Sequence, residues 1–107
     1  SSDLPARYVL HTVGPIVGRW VTWKDRRELA ACYRSCLALA AEHDLRSVAF
    51  CCISTGEFHF PNQEAAEIAV RTVREFLEQQ TTSVERVIFN VFKDLDAAIY
   101  RRLLGPD

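Results

Sequence analysis

Apolar residues recur along this chain in two alternating rhythms: short unbroken runs, and longer stretches spaced three and four residues apart. Residues 7–13 (RYVLHTV) are rich in β-branched and aromatic side chains and stop at Gly14-Pro15, which predicts a strand. Residues 16–24, with a glycine and two tryptophans, predict a loop or short ribbon lying over the body. Leu29, Cys32, Tyr33, Cys36, Leu37 and Ala40 then recur at helical spacing. They predict a helix ending near His43, with Asp25 as N-cap and Glu28 completing a capping box. Residues 46–53 are nearly continuously apolar, the pattern of a parallel strand covered on both faces. Asn62 is predicted to cap a second helix reaching about Gln80, with Ala66, Ala69, Val70, Val73, Phe76 and Leu77 inward. Residues 84–92 predict a further strand. Residues 95–104 predict a last helix with Leu95, Ile99, Leu103 and Leu104 inward, stopped by Gly105-Pro106.

Strands alternating with helices, with no internal repeat or linker, predict an α/β fold. The expected architecture is a three-layer α/β/α sandwich around a mostly parallel sheet, with about three strands and three helices in a single domain over residues 1–107. The crossover between the strands at 46–53 and 84–92 is expected to be right-handed.

Bulk properties narrow the function classes. At 107 residues, with 49% hydrophobic and 25% charged positions, the chain has the make-up of one small globular domain. Its net charge of −1 supplies no basic field for nucleic acid or for an anionic membrane, so neither is expected as a partner. No apolar run is long enough to span a bilayer, and no signal segment opens the chain. The absence of methionine, and an opening at Ser1-Ser2-Asp3-Leu4-Pro5, lead us to expect a piece of a longer protein. The four cysteines, Cys32, Cys36, Cys51 and Cys52, form no C-x-x-C pair. They are expected to be buried small hydrophobes of a reduced, cytoplasmic protein rather than a metal site.

Chemistry concentrates where the strand at 46–53 runs into Ser54-Thr55-Gly56. A strand that stops in such a turn before a helix presents backbone N–H groups without internal partners, which suit a phosphate. The turn lies outside the carboxyl end of a strand, where open α/β sheets bind ligands. Phe58 and Phe60 offer faces on which a sugar or base can pack. No Gly-Lys-Ser/Thr follows, which excludes a P-loop, and the stretch lacks the glycine and ordered acid and histidine of a nucleophile elbow at Ser54. His59 lies close enough to assist an anion, whereas His11 and His43 read as a strand histidine and a helix-end cation. Glu57 is expected to turn its carboxylate away while its N–H still donates. Asn90 and Phe92 end a strand at the same sheet edge, where Phe92 can wall a base.

Taken together, residues 8–15 (YVLHTVGP), 32–37 (CYRSCL), 53–61 (ISTGEFHFP) and 87–94 (VIFNVFKD) with Tyr100 resemble the macrodomain family of ADP-ribose binders and hydrolases. The paired Cys51-Cys52 before Ile53 is similar to a bacterial branch that carries a zinc-assisted hydrolase site. The resemblance implies that Ser54, Thr55, Gly56, Glu57 and Phe58 wrap the diphosphate and distal ribose. It also implies that Phe92, with Asn90, borders the adenosine side. His59 stands where the family usually has glycine, and Glu57 where it usually has an apolar residue. The family's opening half, with its catalytic loop, its adenine-binding aspartate and its zinc ligands, has no counterpart in this sequence. The chain is therefore expected to be the C-terminal portion of a macrodomain, with no catalytic residue and no metal of its own. Any zinc would belong to the other half. Expected partners are ADP-ribose or an ADP-ribosylated protein, and either the N-terminal half or a second copy to complete the sheet. The implied function is ADP-ribose binding, with the intact domain hydrolysing mono-ADP-ribose from modified proteins. The alternatives are a non-catalytic ADP-ribose reader and an inactive fragment with only an assembly role.

Overall fold

A computed structural model describes residues 21–51, 61–91 and 94–105. The strand expected at 7–13, the segment 14–20, Cys52, Ile53 and Phe92 lie outside the described residues. Helix α1 spans Trp23–Glu42, strand β1 Ser47–Cys51, helix α2 Asn62–Gln79, strand β2 Arg86–Asn90 and helix α3 Asp94–Leu104. β1 and β2 pair in parallel, Ser47 opposite Arg86 through Cys51 opposite Asn90.

α1 starts earlier than the sequence pattern implies, so Trp23 and Lys24 are helical rather than part of a loop. The cap is Thr22, not Asp25. The Thr22 hydroxyl accepts from the Asp25 N–H at 3.2 Å, and the Asp25 carboxylate accepts from the Thr22 N–H at 2.9 Å. This reciprocal box satisfies two donors, and Asp25 fills its third position rather than its first. Glu28, freed from capping, faces Lys24 one turn back at 3.9 Å. At the other end His43 is the C-cap and Asp44 takes φ 56°. The Asp44 N–H bonds the Ala41 carbonyl and the Leu45 N–H bonds that of Ala40. That pair of bonds is a Schellman motif, with aspartate in the left-handed position usually held by glycine. It reverses the chain sharply into β1.

The strands are shorter than their apolar runs. The Arg46 carbonyl accepts from the N–H groups of both Glu85 and Arg86, and the Val84 N–H turns to the Thr82 hydroxyl, so the ladder begins only at Ser47 and Arg86. On one face of the pair, Val48 and Phe50 are buried, whereas Ala49 between them is exposed. Phe50 and its register partner Phe89 stack at 6.1 Å. Tyr33 of α1 meets Phe50 edge-on at 4.8 Å, and Tyr100 of α3 stacks on Phe89 at 4.9 Å. One aromatic chain thus runs from α1 across both strands to α3.

α2 packs against α1 on one side and α3 on the other. Its middle place explains a buried stripe wider than its apolar spacing implies, since Ala65, Ile68 and Thr72 are buried beside Ala66, Ala69, Val70 and Val73. Leu77 instead lies at the exposed margin. α3 is rotated from the expected phase: Asp96, Ile99 and Tyr100 are buried, and Leu95 and Leu104 are exposed. Tyr100 sets that rotation, because seating its ring on Phe89 turns Leu95 and Leu104 outward. Gly105, at φ 85°, ends α3, and the Arg74 guanidinium donates to the Leu103 carbonyl at 3.1 Å. A cation there also suits the negative end of the helix.

Replacing Phe50 by Ala is expected to destabilise the chain by about 3–5 kcal/mol in urea unfolding, because it empties the centre of the aromatic chain. Asp44→Gly is expected to raise stability by roughly 0.5–1 kcal/mol by relieving the left-handed strain, and a lowered melting temperature would contradict the Schellman assignment.

Candidate functional site

Chain direction places the site. The Schellman turn folds α1 back along β1, so the start of α1 stands at the carboxyl end of the sheet. The start of α2 stands there too, because Arg26 in the first turns of α1 bonds Glu64 in the first turn of α2, Nε to Oε2 at 2.7 Å. α3 begins soon after β2 ends at Asn90, at the same edge. Three helix starts therefore converge where the two strands finish. Each brings the positive end of a helix dipole.

The three ends are treated differently. α1 is closed by the Thr22–Asp25 box. α3 carries Asp94 and Asp96 in its first turn. At α2 the cap is Pro61 (φ −58°, ψ 130°), with no side-chain capping bond among the described residues, and Asn62, expected as the cap, is its first helical residue. Proline pre-sets the entry angle but supplies no side-chain acceptor and no N–H. The first intrahelical bond runs from the Ala65 N–H to the Pro61 carbonyl at 2.9 Å. The Gln63 amide, which might have folded back, donates along the helix to Glu67 at 2.9 Å.

Of the residues expected to form the site, Asn90 is exposed at the carboxyl end of β2, opposite Cys51. Ser54, Thr55, Gly56, Glu57, Phe58, His59 and Phe92 lie outside the described residues, as does the side chain of Cys51. In sequence, the stretch 54–60 lies between β1 and Pro61. Arg26 and Glu64 escaped the sequence reading. A carboxylate at the third position of α2 is a local signal, but its partner is 38 residues away.

Cys36 is buried and Cys32 only half-buried, a correction to the expectation that both are core residues; neither is in a disulfide. Among the described residues, no group of three or more His, Cys, Asp or Glu side chains is placed to hold a metal ion. No described helix is long and apolar enough to cross a membrane.

Parallel strands with three helix starts at their carboxyl end make an α/β arrangement whose exit edge suits an anion. The sequence matches the macro domain family model over residues 1–69, and the chain belongs to that family. It is 54% identical over 106 residues to a protein-ADP-ribose hydrolase of Staphylococcus aureus, covering 98% of this chain and 40% of the relative. It is 50% identical over 103 residues to the ADP-ribose glycohydrolase MACROD2 of Xenopus laevis, covering 96% of this chain and 25% of the relative. Among solved structures, the Trypanosoma brucei macrodomain in complex with ADP-ribose matches with a TM-score of 0.83 at 41% identity, over 95% of this chain and 41% of that one. A variant macrodomain of Oceanobacillus iheyensis with ADPR also gives 0.83, at 39% identity over 94% of this chain and 53% of that one. The fold is macrodomain-like α/β, and the chain spans less than half the length of these curated relatives.

The Arg26–Glu64 pair is partly open to water, with side chains 39% and 32% exposed. A double-mutant cycle with Arg26→Gln and Glu64→Gln, read by urea unfolding, is expected to return a coupling of no more than about 1 kcal/mol. A coupling several times larger would make the pair a major structural tie.

Proposed function

We propose that this chain binds ADP-ribose at the carboxyl end of its parallel sheet. In this reading the backbone N–H groups of Ser54, Thr55, Gly56, Glu57 and Phe58 grip the diphosphate and orient the distal ribose. His59 lies beside them, and Asn90 and Phe92 border the adenosine. The likeness to a macrodomain in complex with ADP-ribose, at 41% identity over 95% of the chain, carries the proposal. The convergence of helix starts supports it physically, since it favours an anion at this edge.

The intact domain is proposed to hydrolyse ADP-ribose from modified proteins, as the names of its bacterial relatives say of them. This chain's share of that reaction is positioning. Fixing the diphosphate holds the anomeric carbon of the distal ribose in one place, which lowers the entropic part of the barrier. By the family resemblance, the groups that act on that carbon come from outside these 107 residues. The zinc-containing branch suggested by Cys51-Cys52 likewise concerns ligands outside this chain.

Calorimetric titration with ADP-ribose tests the reading. The chain is expected to release heat on binding, and Gly56→Glu, which sets a carboxylate against the diphosphate, is expected to weaken binding ~10-fold or more. Heat from neither protein would favour an assembly role. The chain by itself is expected to show no turnover of an ADP-ribosylated protein, and measurable release of ADP-ribose would place the catalytic groups inside it.

A further inference from the structure

We draw no further inference here: the strongest candidate, the face of the β1–β2 pair opposite the Phe50–Phe89 stack, where Ala49 is exposed beside its half-buried register partner Ile88, carries nothing because nothing in the structure shows what covers it.

Discussion

Parallel pairing of β1 with β2, locked by the stack of Phe50 on its register partner Phe89, determines where everything else can go. Because the strands run the same way, the chain must return to the start of the sheet through α2. The same requirement sends each strand out at one common edge. Tyr33 and Tyr100 extend the aromatic contact to α1 and α3, so the flanking helices are fixed to the same pair of rings. Helix starts gather at the exit edge as a result, and a field that favours anions follows from topology alone.

The chain treats its three helix starts unequally. A threonine–aspartate box closes α1, while α2, entered through proline at a preset angle, has no side-chain cap among the described residues. A helix start without a side-chain cap offers N–H donors of the kind that phosphate oxygens can satisfy. The aromatic chain and the Schellman turn hold the fold.

Much of this was legible in the amino-acid order. The Leu29, Tyr33, Cys36, Leu37 and Ala40 stripe marks α1's buried face, and Gly105 marks the end of α3. Helical spacing and unbroken apolar runs are local properties, and they survive into the structure. Two overlapping acidic boxes, Thr22–Asp25 and Asp25–Glu28, compete in the sequence, and only the geometry of the chain's entry selects the first. The phase of α3 was misread for a related reason: Leu95 and Leu104 are apolar, but the seat of Tyr100 on Phe89 decides which side faces inward. Of the expected site, Asn90 is legible as the last residue of β2, whereas Ser54-Thr55-Gly56 lies outside the described residues. The Arg26–Glu64 bond is not legible, because it joins elements 38 residues apart and depends on how two helices meet.

The central claim is that main-chain amides following β1 and opening α2 hold the diphosphate. Amide-resolved NMR of the chain titrated with ADP-ribose tests it most directly. The account predicts that the N–H signals of Ser54 to Phe58 and of Asn62 to Glu64 shift together and saturate at one affinity, while those of the helix C-termini stay put. Saturable binding that leaves these amides unmoved and shifts signals elsewhere would contradict it.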